Sequence, residues 1–114
     1  MKIPFIKCVM IVGMMLLSAS AVYADDPVVE ARLILFNRTF DPQELMLPAG
    51  KKIKLIITNK DASNAEFESP QLNREKVVKA NAEIYVYLGP LKVGVYSFFD
   101  DFHRQTTAGK IIVQ

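Results

Sequence analysis

The sequence predicts an all-β domain, a Greek-key β-sandwich, and three observations support this fold class. Short segments in which apolar and polar residues alternate recur along the chain, which is the pattern of half-buried strands. Turn-forming residues separate these segments roughly every ten residues, a spacing typical of sandwich folds. The single cysteine, Cys8, lies in an N-terminal targeting segment, so the domain must close one apolar core without disulfide bonds.

The N-terminal 24 residues have the features of a secretory signal peptide. Lys2 and Lys7 precede an apolar run from Cys8 to Leu17, and small residues follow up to Ala24. We expect secretion and cleavage after Ala24; the alternative, an uncleaved anchor, is disfavoured by the shortness of the apolar run. Removing Lys2 and Lys7 lowers Lys+Arg from 14 to 12, equal to the 12 Asp+Glu, which gives no reason to expect nucleic acid as a partner.

The remaining chain divides into a short mobile lead-in, residues 25–30, and one domain, residues 31–114. Alternation and turn residues predict strands at residues 32–38, 44–47, 51–59, 65–69, 82–88, 93–99 and 110–113, with a turn at residues 39–42 that ends the first strand. In the third of these, Ile53, Leu55 and Ile57 share the face that should be buried. Residues 71–80 form a connection that holds either a turn of helix or another edge strand.

The end of the strand at residues 93–99 carries the first candidate site. Alternation places Tyr96, Phe98 and Asp100 on one face, so Asp100 should point inward where the strand leaves the sandwich. A partly buried carboxylate needs a partner, and the turn after the strand can bring His103 next to Asp100. Carboxylate and imidazole together ligate divalent iron, copper, manganese or zinc. The alternative is a charged turn with a solvated histidine.

A second group of candidate ligands lies on the predicted strand at residues 65–69. Glu66 and Glu68 are two residues apart, so both carboxylates share a face and could grip a hard cation; the alternative is a solvent face around Phe67. Asp101 is a weaker candidate ligand beside Asp100. Met46 could offer a thioether, although an unliganded packing role is the simpler interpretation. The chain shows no nucleophile motif and no phosphate-binding loop.

Three stretches carry a likeness to a known family: F-D-P-Q-E-L-M-L-P-A-G-K-K-I-K-L-I-I-T-N-K-D, L-K-V-G-V-Y-S-F-F-D-D-F-H and G-K-I-I-V-Q. Together they resemble the cupredoxin-like domains, from about Ile34 to Gln114. The resemblance implies a metal site at the last loop, where blue-copper members use two His, one Cys and an axial Met. Here the Cys position matches Asp100, the second His matches His103, and the first His falls near Ala65 or Glu66. No Met follows His103, and the Cys position carries no thiolate, on which the electronic character of the centre depends, so a type 1 copper site is not expected.

The stretch N-A-E-F-E-S-P-Q-L-N-R-E-K-V-V, residues 64–78, followed by L-G-P-L-K-V-G-V-Y-S-F-F-D-D-F-H, resembles the EfeO-type proteins of bacterial periplasmic ferrous iron uptake. This resemblance implies a bound iron and/or copper ion held by Glu66, Glu68, Asp100 and His103. It also implies a role in ferrous iron oxidation or electron transfer, with periplasmic and inner-membrane partners of an iron permease.

Two other functions are compatible with the same residues. One is a non-catalytic docking subunit with a vestigial metal site, for which Phe99, Phe102 and Val93 would supply an exposed apolar patch. The other is a periplasmic copper carrier that uses Met46 and His103.

Overall fold

The computed structural model describes residues 27–114, so the predicted signal peptide lies outside the described residues. This range contains nine strands and one short 3₁₀ turn. The elements are β1 (Val29–Phe36), β2 (Thr39–Asp41), β3 (Glu44–Leu47), β4 (Ile53–Asn59), β5 (Ala65–Ser69), β6 (Arg74–Val78), β7 (Glu83–Leu88), β8 (Gly94–Asp100), the 3₁₀ turn (Asp101–His103) and β9 (Gly109–Val113). No helix within residues 27–114 is long and apolar enough to cross a membrane.

The strands form two sheets, ordered β2-β1-β4-β7 and β3-β9-β8-β5-β6. Two pairs are parallel, β1 with β4 and β3 with β9, and the other neighbouring strands are antiparallel. The predicted all-β sandwich is therefore confirmed. The first strand begins within the expected lead-in, because Val29 pairs with Ile53 and its backbone N–H donates to the carbonyl of Lys52 at 2.8 Å.

One connection differs from the sequence-based expectation, and another decides between two stated alternatives. The turn expected at residues 39–42 comes earlier, at Asn37 and Arg38, whose φ angles of 51° and 54° are left-handed. The Asp61 carboxylate fixes this turn by accepting from the backbone N–H groups of both residues, at 2.6 and 2.9 Å. The chain can then form β2 directly afterwards. For residues 71–80, where the sequence allowed a turn of helix or an edge strand, the edge strand is correct, since β6 pairs antiparallel with β5.

The core lies between the two sheets and follows the predicted alternation. Ile53, Leu55 and Ile57 are fully buried, as predicted. Three aromatic rings fill the centre: the Phe98 ring meets Phe40 edge-on with centroids 5.2 Å apart and lies 5.7 Å from Phe67. Because β8 contributes Phe98, the next inward-pointing position of that strand, Asp100, is held at the edge of the same core.

Side chains from β6 join the edges of the two sheets. Lys76 donates through Nζ to the carbonyl of Tyr85 at 3.0 Å, and Arg74 reaches the carbonyl of Tyr87 at 3.4 Å. These contacts occupy backbone acceptors of the β7 edge that would otherwise be open to pairing with another chain. They also hold the β5–β6 pair in place next to the end of β8.

Candidate metal centre

Asp100 ends β8 with its side chain completely buried. Its Oδ1 atom accepts two backbone N–H groups, from Glu66 at 2.8 Å and from Phe102 at 3.0 Å. Its Oδ2 atom lies 2.7 Å from Nδ1 of His103. The predicted inward orientation of Asp100 and its contact with His103 are confirmed. Both oxygens of this carboxylate are therefore already engaged by groups of the protein itself.

Thr107, which sequence reasoning missed, closes the loop behind this pair. Its buried hydroxyl accepts from the backbone N–H of Asp100 at 2.9 Å and donates to the carbonyl of His103 at 2.7 Å. The hydroxyl thus fixes the backbone on both sides of the 3₁₀ turn. A threonine in a polar loop has no distinctive sequence signal, so only the folded loop could show this role.

Nδ1 of His103 is engaged by Asp100, and the His103 side chain is 21% exposed. His103 is one of the residues around a cleft of about 400 Å³. The cleft is lined by Arg38, Asp101, Phe102, His103, Arg104, Gln105 and Thr106.

The two predicted glutamates of β5 point away from the core. Phe67 between them is fully buried, so Glu66 and Glu68 lie half-buried on the outer face of the second sheet. There they meet Asp101, and one carboxylate oxygen of each residue lies within 4.8 Å of the others. We call Glu66, Glu68 and Asp101 the carboxylate cluster. The structure does not bring the glutamates to the carboxylate of Asp100, because that side chain points to the opposite side of the same sheet.

Hydrogen bonding, desolvation and mutual repulsion all raise the pKa values of the two glutamates in the carboxylate cluster. The pKa of Glu66 is raised from its usual 4.5 to about 7, first by a hydrogen bond shared with the Glu75 carboxyl, then by desolvation, then by the neighbouring negative charges. Desolvation and the charges of Asp101 and Glu75 also raise the pKa of Glu68, with Arg104 acting in the opposite direction. A bound cation would relieve this repulsion.

Arg104 partly neutralises the cluster. Its guanidinium pairs with the carboxylate of Asp101 and lies 3.9 Å from Oε2 of Glu68. It also covers the Phe99 ring at 4.8 Å from the centroid. Because the guanidinium remains mostly exposed, it is free to move aside when a metal ion competes for Asp101.

Other predicted residues lie away from this centre. Met46 pairs with Ile112, which pairs with Val95 near the start of β8, so the thioether is at the far end of the strand from Asp100. Val93 precedes β8 and Phe102 follows it, which separates two members of the expected apolar patch by the length of that strand. Whether any of the predicted ligands binds a metal stays a prediction.

Comparison with known proteins identifies the family. A family model described as a cupredoxin-like domain matches residues 7–113. The chain belongs to this family. This cupredoxin-like protein is also 37% identical over 115 residues to the uncharacterized protein RP394 of Rickettsia prowazekii (strain Madrid E), covering 98% of this chain and 92% of that protein.

Solved structures of copper proteins share the fold. Auracyanin A, a blue copper protein from Chloroflexus aurantiacus, superposes with a TM-score of 0.66 at 15% identity, covering 77% of this chain and all (100%) of that one. The metal-binding domain of the Cu(I)-exporting P-type ATPase CopA from Streptococcus pneumoniae D39 gives 0.65 at 15% identity, covering 78% and 97%. At such identities the likeness shows the fold alone, and the donor atoms must be taken from this chain.

The donor set of this cupredoxin-like protein does not fit a type 1 copper ion. Such a centre requires a thiolate with two imidazoles, whereas the chain has one histidine and its only cysteine is Cys8. The buried Ala65 lies at the start of β5, where the resemblance places the first imidazole or its neighbour. The groups present are carboxylates and a single imidazole, which favour harder ions.

Proposed function

We propose that this cupredoxin-like protein binds iron at the carboxylate cluster and serves ferrous iron uptake, as an EfeO-type protein of the periplasm. The observation that carries the proposal is the meeting of Glu66, Glu68 and Asp101 within 4.8 Å on one exposed face. The charges of neighbouring carboxylates contribute to the raised pKa of Glu66 and of Glu68, and a bound cation would relieve that repulsion, which supports an ion at this position.

The chemistry of oxygen donors suits the oxidation of ferrous iron. Carboxylates are hard ligands that stabilise Fe(III) more than Fe(II), so they lower the reduction potential of the bound ion. Oxidation releases one electron from each Fe(II), and a one-electron acceptor, either a Cu(II) ion or a redox partner protein, takes it up. Asp100 is not among the proposed iron ligands, because both of its oxygens are engaged within the protein.

The cellular setting is part of the same proposal. The signal-peptide features of residues 1–24 support export to the periplasm. The partners would be periplasmic and inner-membrane components of an iron permease, to which the protein would deliver ferric iron. The outward direction of the carboxylate cluster supports such a transfer, since a partner can approach the ion without unfolding the sandwich.

Anaerobic calorimetry with Fe(II), and separately with Cu(II), tests the proposal. We expect micromolar or tighter Fe(II) binding to the wild-type protein and at least tenfold weaker binding after Glu66→Gln combined with Glu68→Gln. Glu44→Gln is the matched control, because Glu44 is an exposed carboxylate of the same sheet outside the cluster. Absence of Fe(II) binding, or equal binding in the double variant, would reject the iron site and favour a docking subunit.

A further inference from the structure

We infer that the cleft beside the 3₁₀ turn binds a small anion that carries two or more carboxylate or phosphate groups, and that Arg38 and Arg104 hold it. Such an anion site goes beyond the proposed iron site and does not depend on it. The iron site is formed by carboxylates, whereas the anion is held by positively charged side chains and needs no metal ion.

The size and charge of the cleft suit an anion of this kind. Its volume is about 400 Å³, and sites for small-molecule ligands commonly measure about 300–1,000 Å³. Among the described residues that line it, Arg38 and Arg104 carry a positive charge, and Asp101 alone bears a carboxylate. The arginines therefore outnumber the carboxylate. A guanidinium presents a planar fork of N–H donors that matches the oxygens of carboxylate and phosphate groups.

Arg38 supplies the first positive charge of the cleft. Within residues 27–114, its guanidinium forms no ion pair and donates no hydrogen bond. The Asp61 carboxylate contacts the turn through its backbone, since its two oxygens accept from the N–H groups of Asn37 and Arg38. These bonds fix the turn, and with it the position from which the Arg38 side chain extends. An anion can therefore bind Arg38 without breaking an ion pair of the described domain.

Arg104 supplies the second positive charge and links the cleft to the carboxylate cluster. Its Nε and Nη2 atoms contact the Asp101 carboxylate, and Nη2 also lies 3.9 Å from Oε2 of Glu68. The remaining nitrogen, Nη1, forms no hydrogen bond or ion pair with the residues that the structure describes. The side chain is 64% exposed, so Nη1 can donate to an anion while the pair with Asp101 persists. Loss of the Asp101 charge would release the other two nitrogens as well.

The other lining residues give the cleft a fixed wall and further donors. Asp100 holds Nδ1 of His103 at 2.7 Å, and the Thr107 hydroxyl donates to the His103 carbonyl at 2.7 Å. The fold therefore sets the wall at His103 before any ligand binds. The amide of Gln105 and the hydroxyl of Thr106 can donate neutral hydrogen bonds beside the two guanidiniums.

Titration with citrate and, separately, with pyrophosphate tests the site in protein made metal-free with a chelating resin. In ¹H–¹⁵N correlation spectra we expect shifts of the backbone amides of residues 101–106 and of the Nε–H signals of Arg38 and Arg104. The Nε–H signals of Arg32 and Arg74, which do not line the cleft, should stay in place. The anion that binds more tightly identifies the preferred group, carboxylate or phosphate. Absence of these shifts with both anions would overturn the inference.

Arg38→Gln should weaken the binding of either anion roughly tenfold, because one of two charged donors is lost. The Arg38 side chain is exposed, so the variant should fold. Arg32→Gln is the matched control, since Arg32 is an exposed arginine of β1 that does not line the cleft. Equal weakening in the two variants would show a response to net charge alone and would overturn the inference.

Asp101→Asn should strengthen the binding of the anion roughly three- to fivefold. The substitution removes the negative charge from the lining and releases Nε and Nη2 of Arg104. Glu44→Gln is the matched control, because it removes an exposed carboxylate of β3 outside the cleft and should leave the affinity unchanged. Unchanged or weaker binding in Asp101→Asn would overturn the role of Arg104.

A further variant separates the anion cleft from the proposed iron site. Glu66→Gln combined with Glu68→Gln should weaken Fe(II) binding and keep the citrate or pyrophosphate shifts, because neither glutamate lines the cleft. A wild-type protein that binds the anion and no Fe(II) would contradict the proposed iron function alone. Fe(II) binding at the cluster with no anion-dependent shift in the wild-type protein would contradict the anion cleft alone.

Discussion

At the scale of single residues, the carboxylate cluster makes the metal-free protein sensitive to pH. Glu66 and Glu68 carry raised pKa values because they are half-buried next to Asp101 and Glu75. The cross-strand register puts Glu68 directly opposite Glu75, where like charges destabilise a sheet. A bound cation would remove this repulsion. Its effect on the free energy of unfolding can be measured in the metal-free protein.

We expect the free energy of unfolding to fall as pH rises from about 5 to about 8 in the presence of a chelator. The pKa of Glu66 is 4.5 in a model peptide and about 7 in the fold, so between these values the folded state holds more protons than the unfolded state. Stability is therefore lost as pH rises through the folded pKa. Glu66→Gln should flatten this slope, and urea unfolding at several pH values measures it. Glu44→Gln should keep the wild-type slope; an unchanged slope in Glu66→Gln would contradict the assignment.

Thr107→Val should destabilise the domain by about 1–3 kcal/mol, because the buried N–H of Asp100 loses its acceptor. The substitution keeps the branched shape of the side chain and removes the hydroxyl. Thr106→Val is the matched control: Thr106 is exposed in the same loop and should tolerate the change. Denaturant unfolding gives both values, and equal stability of the two variants would show that Thr107 does not support the turn.

Residue patterns in the sequence predicted part of the site. The two-residue spacing of Glu66 and Glu68 placed both on one face, and alternation along β8 placed Asp100 inward next to His103. The meeting of the glutamates with Asp101 needed the register of β5 against β8, which pairs Glu68 with Phe99. Alternation alone contains no information about which residue lies opposite on the next strand.

At the scale of elements, strands with a clear apolar alternation were predictable and the others were not. The β6 strand has four exposed residues before Val78, so its sequence lacks an alternating pattern, and only its pairing with β5 makes it a strand. The β2 strand was hidden because the tight turn depends on Asp61, a residue far along the chain. The parallel pairing of β3 with β9 was likewise not predictable, because the two strands are far apart in the sequence.

Gly109 shows how closely β8 and β9 pack, and it gives a prediction for these two elements. A Cβ atom at this position would lie 2.5 Å from Cε2 of Phe98 and 3.0 Å from the carbonyl oxygen of Gln43. The Phe98 ring cannot easily move, because Phe40 and Phe67 pack against it. We therefore expect Gly109→Ala to destabilise the domain by about 1–3 kcal/mol in chemical denaturation.

Gly89→Ala is the control for Gly109→Ala, because no atom lies within 4 Å of a Cβ built at Gly89. Its stability should stay within about 1 kcal/mol of the wild-type protein. If Gly109→Ala were equally well tolerated, the core around Phe98 would be looser than the ring contacts indicate. A shift of the Asp100 and His103 resonances in Gly109→Ala alone would show that β8 transmits the strain to the metal centre.

At the scale of the whole molecule, the fold and the donor atoms have different origins. The sandwich is that of copper proteins such as auracyanin A, and it was predictable because strand patterning and turn spacing extend over the entire domain. The donors depend on a few positions at one end of the sandwich, where the resemblance matches Asp100 to the Cys of a blue-copper centre and places the first His near Ala65 or Glu66. Function therefore has to be argued from these positions, since one fold supports many sites.

Binding at the carboxylate cluster should raise the thermal stability of the whole domain. An ion that binds only the folded state at a free concentration about 100 times its Kd adds about 2.7 kcal/mol. For a domain of this size, that corresponds to a rise in Tm of roughly 10 °C or more. Anaerobic thermal unfolding with Fe(II) followed by circular dichroism measures the shift. Glu44→Gln should show the full rise, and Glu66→Gln combined with Glu68→Gln, with at least tenfold weaker binding, should show about half of it or less. A rise of equal size in that double variant would place the stabilising ion outside the carboxylate cluster.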